Sequence, residues 1–204
     1  SQLYPPRGQL AFTGRTSGND DIFVVNPDGS GEINLSNHSA AEDSTAWSPD
    51  GTKVAFVSTR DGNEEIYVVN ANGSGLLRLT NHTTVDNQIA WSPDGTKLAF
   101  RSLRSGSGDI YTINVHGTLL TRLTTSAYHE YNPMWSPDGT RIVYVTDIST
   151  NPEIYIMNAN GTAQTRLTNR TGYDVAPFFS PDGNRVAVRA SYGSGNDEIV
   201  IITL

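Results

Sequence analysis

Glu42, Asp86, Glu130 and Asp174 are the residues of this 204-residue chain whose type and spacing first suggest chemistry, because an acid recurs every 44 positions. Carboxylates brought together repel unless water or a hard cation such as Ca²⁺ or Mg²⁺ neutralises them. A pair held about 5–9.5 Å apart can divide the acid and base roles of glycoside hydrolysis. That division needs unequal surroundings that drive two pKa values apart, whereas a repeated column makes its surroundings alike. Uniform copies therefore favour binding over catalysis, and no catalytic residue is assigned. The histidines are less regular. His38 and His82 share a column that continues as Ser126 and Arg170, His129 lies three residues off, and His116 sits in a turn. Two histidines in register do not supply the converging ligands of a zinc site. No Gly-X-Ser-X-Gly stretch marks a nucleophilic serine. The absence of cysteine excludes disulfides, thiolate metal sites and a cysteine nucleophile.

The elements that position the acids repeat with them. Ser-Pro-Asp-Gly occupies 48–51, 92–95, 136–139 and 180–183, again 44 residues apart. Ala11-Phe12, Ala55-Phe56, Ala99-Phe100, Val143-Tyr144 and Ala187-Val188 keep this period. So do Ile22-Phe23, Ile66-Tyr67, Ile110-Tyr111 and Ile154-Tyr155, with Ile199-Val200 one residue late. Leu35-Ser36, Leu79-Thr80, Leu123-Thr124 and Leu167-Thr168 close each unit. Repeats of this length signal stacked or circular architectures. Within one unit, "KVAFVST", "EIYVVN" and "LLRLT" alternate with period two between turns rich in Gly, Pro, Asn and Asp. No segment carries a helical apolar period. Four short antiparallel strands in 44 residues make one propeller blade.

The turns have a mechanical reading. Pro pre-sets the second turn position, Asp tolerates the third and Gly supplies the positive φ that follows. The stretches at 26–29, 70–73 and 158–161 read the same way, as hairpin punctuation. Trp47, Trp91, Trp135 and Phe179, one residue before each Ser-Pro-Asp-Gly, are expected to fill the wedge between adjacent blades.

A net charge of −7 and a sequence pI near 4.9 argue against nucleic acid or an anionic membrane surface as partner. No apolar run approaches the ~20 residues that span a bilayer, and no charged-then-apolar leader opens the sequence. Sequons at Asn34, Asn37, Asn72, Asn81, Asn160 and Asn169 fall largely in turns the repeat needs anyway.

"AWSPDGTKVAFVSTRDGNEEIYVVNANGSGLLRLT" (46–80) resembles the repeat of the TolB-like, WD-like β-propellers, and the match runs through essentially the whole chain. The resemblance implies strands ordered from a central channel outward. It also implies a bacterial, periplasmic or secreted, binding or scaffold role. The chain departs from the TolB protein in having five units where six are expected and in lacking the extra α/β domain. Its first unit is worn, "YPPRGQLAF" (4–12) standing where "SPDGTKVAF" belongs.

The expected architecture is all-β: one five-bladed β-propeller domain with repeats 1–42, 43–86, 87–130, 131–174 and 175–204, closed by the first blade meeting the last. Residues 1–4 are expected to form an inner strand, and the last blade to lack an outer one. Two alternatives are an N-terminal segment pairing outside Ile199–Thr203 and a piece of a larger propeller. In a ring, the four acids would gather around one mouth of the channel, where a Ca²⁺ or Mg²⁺ ion is the one cofactor to consider. The Ser-Pro-Asp-Gly and Asn-X-X-Gly turns share one face. The B–C loops and the D–A connections share the other, and the D–A connections vary most between copies: "NHSAAED", "NHTTVD", "TSAYHEY" and "NRTGYD". Variable loops on a rigid frame are where partners are met. The ligand-binding candidates are thus Glu42, Asp86, Glu130, Asp174, Tyr128 and Tyr173. The expectation is a monomeric, non-enzymatic module recognising a protein, peptide or glycan. The alternatives are a glycan-processing enzyme using channel-mouth carboxylates and a structural module of a larger exported protein.

Overall fold

The computed structural model describes residues 8–16, 18–148, 151–191 and 196–204. All regular structure among them is β, in five antiparallel meanders. The first sheet holds β1 (Leu10–Thr16), β2 (Asn19–Val25) and β3 (Ile33–Asn34). The second holds β4 (Glu42–Trp47), β5 (Lys53–Ser58), β6 (Glu65–Asn70) and β7 (Leu77–Arg78). The third holds β8 (Asp86–Trp91), β9 (Lys97–Ser102), β10 (Asp109–Asn114) and β11 (Thr121–Arg122). β12 (His129–Trp135), β13 (Arg141–Ile148), β14 (Asn151–Asn158) and β15 (Thr165–Arg166) form the fourth. β16 (Asp174–Phe179), β17 (Arg185–Ser191) and β18 (Asp197–Thr203) form the fifth, which lacks an outer strand as expected. Among the described residues, no helix is long and apolar enough to cross a membrane.

The turns are built by their own side chains. In the second sheet the Asp50 carboxylate accepts from the Ser48 hydroxyl (2.6 Å) and the Thr52 amide (3.0 Å), while Gly51 takes φ +66°. Asp94 and Asp138 repeat the arrangement. The Ser136 hydroxyl and the Thr140 amide hold Asp138 down at about 2. The Leu-Ser/Thr column also has a local role. The hydroxyls of Ser36, Thr80, Thr124 and Thr168 accept from the amides of Ile22, Ile66, Ile110 and Ile154, each at 2.9 Å, fixing the short outer strand against the middle of its sheet.

The second, third and fourth sheets bury both faces against their neighbours in chain order, and the first and fifth bury one each. A forward face of Ala55, Ile66, Val68 and Leu79 packs on a rear face of Trp91, Leu98, Phe100 and Tyr111 from the next sheet. The same division recurs at the other three boundaries. The Trp column fills the wedge between sheets, and the Trp91 indole N–H donates to the Ala46 carbonyl across it (2.9 Å). The inner strands follow one another, β4 beside β8, β8 beside β12 and β12 beside β16, and β1, in the column of β5, lies beside β4. No comparable packing joins the fifth sheet to the first among the described residues. The closed five-membered ring expected from the repeat count is thus not formed by these residues. The inner strand assigned to residues 1–4 lies outside them.

One turn glycine makes a testable contact. Gly161 (φ +87°) sits so close to the third sheet that a Cβ would lie 2.9 Å from the Leu123 carbonyl oxygen, whereas Gly29 (φ +81°) faces open space. Gly161→Ala is expected to cost about 2–3 kcal/mol, and Gly29→Ala about 1 kcal/mol, the latter from backbone strain alone. Urea unfolding of both variants checks the difference.

Candidate functional site

Two layers of polar residues converge on the inner strands, and the structure separates them. The first layer lines the axial channel. Each of β4, β8, β12 and β16 carries one extra residue relative to its partner strand, a bulge between Asp43 and Ala46, Asn87 and Ala90, Tyr131 and Met134, and Val175 and Phe178. At every bulge a non-glycine residue takes the left-handed conformation: Ser44 (φ 57°), Gln88 (55°), Asn132 (50°) and Ala176 (50°). Such bulges re-aim side chains, and the strain they hold recurs at ligand sites. These four turns of chain, with Thr45, Ile89, Pro133, Met134, Pro177 and Phe178, line a cavity of ≈ 340 Å³. The Gln88 side-chain oxygen accepts from the Asn132 amide (3.0 Å), tying the third sheet to the fourth along the channel wall. No charged side chain is among the lining residues. The second and third sheets supply hydroxyl and amide groups, and the fourth and fifth a largely apolar wall.

The second layer holds the acids, away from the channel. Glu42, Asp86, Glu130 and Asp174 are all 2% exposed or less. The expectation that they gather at a channel mouth is corrected by the pleat. Glu42 pairs with Ser58 and Trp47 with Val54, and the bulge between restores the phase. Acid and Trp therefore stand on the same side of the sheet, toward the preceding sheet. There Glu42 meets Arg60 (3.0 Å) and Ser58 (2.8 Å), and Asp86 meets Arg104 (2.6 Å). Each guanidinium also lies over aromatic rings of its own sheet, Arg60 at 4.8 Å from the Tyr67 centroid and Arg104 at 5.1 Å from that of Tyr111. In the fourth sheet this cation's column holds Ile148.

A second acidic column, missed in reading the sequence, faces the first. Asp21, Glu65, Asp109 and Glu153 are likewise buried and stand at or near the start of β2, β6, β10 and β14. Arg78 binds Glu65 (3.2 Å), Arg122 binds Asp109 (3.0 Å) and Arg166 binds Glu153 (2.6 Å), while Asn34 donates to Asp21 (3.1 Å). The signal was present: an acid precedes each Ile of the Ile-Phe/Tyr column at the same spacing, with an Arg thirteen residues on in three copies. Burial raises Asp86, Glu130 and Asp174 above the usual carboxylate range, and the facing Glu65, Asp109 and Glu153 add to the rise. Among the described residues, no three acids or histidines are placed to hold a metal ion. The imidazole Nδ1 of His38 accepts from the Ala40 amide (3.1 Å) and that of His129 from the Gly108 amide (2.8 Å), each serving its loop.

The two tyrosines of the variable loops differ. Tyr128 is exposed, its amide donating to the Ser126 hydroxyl (3.0 Å). Tyr173 is half-buried. Its hydroxyl donates to Asp197 (2.5 Å), and Arg189 lies 5.7 Å from its ring centroid. Tyr128 therefore has a free ring edge for a partner, whereas Tyr173 is engaged within the fifth sheet.

The repeated four-strand sheet, its turns and its channel define a propeller, and the chain belongs to the TolB beta propeller domain family, whose model matches residues 2–151 and 126–204. TolB from Acinetobacter baumannii is similar in fold, with 22% identity, a TM-score of 0.81, and coverage of 96% of this chain and 50% of that one. A putative TolB from Agrobacterium tumefaciens shares 21% identity with a TM-score of 0.80, covering 98% of this chain and 75% of its own. Oligogalacturonate lyase from Vibrio parahaemolyticus superposes with a TM-score of 0.79 at 13% identity, covering 98% of this chain and 61% of that one. The chain thus spans half to three quarters of the length of these proteins, and at such identities the likeness is one of fold. No curated protein sequence matches.

Proposed function

We propose that the chain is a non-enzymatic binding propeller, of periplasmic or secreted bacterial setting, that recognises a protein, peptide or glycan on the face made by its D–A and B–C loops. The observation that carries this reading is the uncharged hydrogen-bonding wall of Ser44, Gln88 and Asn132, contributed by three successive sheets and opposed by Pro133, Pro177 and Phe178. Sites of this make-up, mostly apolar with a few placed polar groups, hold ligands by shape and hydrogen bonds. Exposed Tyr128 adds an amphipathic ring on the loop side of the same sheets. Five of the repeated acids, Glu42, Asp86, Glu65, Asp109 and Glu153, are paired with Arg60, Arg104, Arg78, Arg122 and Arg166, which suits holding sheets together better than proton transfer to a substrate.

Immobilised protein probed with glycan and peptide arrays tests the reading. A ligand selected in this way is expected to bind Tyr128→Ala at least about fivefold more weakly, with a melting temperature within about 2 °C of the parent, and to bind Gln88→Ala more weakly as well, with melting lowered by about 2–4 °C because the Asn132 amide loses its acceptor. Ligands that bind both variants as well as the parent would end it. So would new reducing ends released from any polysaccharide of the array, the mark of the enzyme alternative.

A further inference from the structure

The positions that pair with the Ile column hold Thr13, Val57, Arg101, Val145 and Arg189. The residues just before the second acidic column are Asp20, Glu64, Gly108, Pro152 and Asp197. The two sets adjoin at the loop end of each sheet, and the acids among them are engaged. Asp20 binds Arg15 (3.0 Å), Glu64 accepts from the Asn87 side-chain amide (2.6 Å) and Asp197 binds Arg189 (3.6 Å). The third sheet departs at both positions at once. It carries the arginine of the fifth sheet without the acid, because Gly108 stands where Asp197 does. Arg101 forms no ion pair among the described residues, and its Nε is buried with no hydrogen-bond partner. Gly108 makes the room, since a Cβ there would lie 2.6 Å from that Nε and 3.2 Å from Nη2. Opposite Arg101 on β8, the side-chain oxygen of Asn87 is also buried and unbonded. Asn87 directly precedes Gln88 of the cavity wall. An unpaired donor and an unpaired acceptor thus stand together at the loop-side mouth of the channel, and buried polar groups left this way call for a partner.

We propose that Arg101 is the anion anchor of the binding face, and that the anion it takes is the terminal carboxylate of a peptide whose last residues enter the channel. This rests on the channel reading above and names the ligand group that completes it. In the fifth sheet a carboxylate of the chain itself answers the equivalent arginine, and in the third the ligand supplies it. A guanidinium is a planar fork that matches a carboxylate in two parallel hydrogen bonds, and no bond holds the Arg101 side chain from turning toward the mouth. The last residue of a peptide carries a backbone N–H beside its carboxylate, and the Asn87 oxygen is the acceptor for it. Capture of a chain terminus by such groups is a recurrent mode of peptide recognition. Beyond the anchor the wall is uncharged, with Ser44, Gln88 and Asn132 across from Pro177 and Phe178, which suits a segment bearing no further charge. An acidic polysaccharide is disfavoured. Its charge repeats along its length, whereas a chain of net charge −7 offers it a single unpaired guanidinium here.

The test presents short peptides of uncharged residues, tethered by their N-termini, in two matched arrays, one with free C-termini and one ending in amides. The peptide selected as the free acid is expected to bind at least about tenfold more tightly than its amide. Arg101→Gln should bring the acid down to the level of the amide, with melting within about 2 °C of the parent because no ion pair is lost. Gly108→Asp restores the acid that Asp197 provides to Arg189. It should occupy Arg101 from within and weaken the acid at least about tenfold, again with melting within about 2 °C of the parent. Equal binding of acid and amide, both still weakened by Gln88→Ala, would overturn the anchor while leaving the channel reading standing. Undiminished binding of the acid by Arg101→Gln or by Gly108→Asp would overturn it as well. An absence of binding on both arrays has the same consequence. So does binding of a uronate-bearing oligosaccharide, in place of the peptides, that Arg101→Gln abolishes, since a glycan would then be the occupant.

Discussion

Arg104→Ala is expected to be among the most damaging single substitutions in the chain, costing about 3–5 kcal/mol at pH 7. Its guanidinium lies 2.6 Å from Asp86, whose side chain is fully buried, and its Nε donates to the Ser102 hydroxyl (2.8 Å). Removing it leaves a buried carboxylate, with the facing Glu65 beside it, without its cation, which is far costlier than never having placed one there. The ring of Tyr111 also loses the cation above it. Two further measurements separate the stranded charge from lost packing. Asp86→Asn added to Arg104→Ala should recover most of the loss, because the remaining group is neutral. The single variant should also recover part of its stability between pH 7 and pH 5, as Asp86, already raised by burial, takes up a proton. Urea titrations of the four members of the cycle at both pH values decide it. Equal losses in the single and double variants would assign the effect to packing.

This arrangement shows which parts of the molecule the sequence discloses. The 44-residue period, the Ser-Pro-Asp-Gly turns and the Trp wedge are local, and each copy repeats the evidence for them. Asp50 needs only Ser48 and Thr52 to make its turn, so reading the turn from four letters succeeds. The orientation of the acid column is different. Whether Glu42 points into the channel or between sheets depends on the phase of the pleat, and one unpaired residue at Ser44 and Thr45 reverses that phase. A bulge has no letter of its own here: the left-handed position is filled by Ser, Gln, Asn and Ala in turn. Ser44, Gln88 and Asn132 were overlooked for the same reason, since a column of unlike residues does not register as a motif. Closure was beyond reach because it rests on the angle between sheets. Small differences in packed side-chain size set that angle, so counting five units cannot fix how much of a circle five units fill.

Glu130→Gln is expected to act in the opposite sense to Arg104→Ala, stabilising the protein by about 1–3 kcal/mol at pH 7. Glu130 shares Asp86's column and burial, but Ile148 stands where the column's arginine would be. One of its oxygens accepts from the Ser126 hydroxyl, while the other has no hydrogen-bond partner among the described residues. Burial, with Asp109 facing it, raises its carboxyl above the usual range. Such an acid holds its proton more tightly folded than unfolded. Between the unfolded value, about 4.3, and the raised folded value, the native state binds more protons, so stability falls as pH rises through that window. Above the window the buried charge is a constant penalty. Gln keeps an acceptor for Ser126 and turns a donor toward Asp109, removing that penalty. The parent should therefore gain stability as pH is lowered from 7 toward 5, and Glu130→Gln should gain less. Its remaining slope comes from Asp86 and Asp174, which burial raises in the same direction. The depressed turn carboxylates work the other way, but only as pH falls below the usual carboxylate range toward the value of about 2 at Asp138. Denaturant midpoints at pH 5, 6 and 7 thus isolate the buried acid. A variant less stable than the parent at pH 7, with an unchanged pH slope, would mean that Glu130 is charged and well paired in the folded protein.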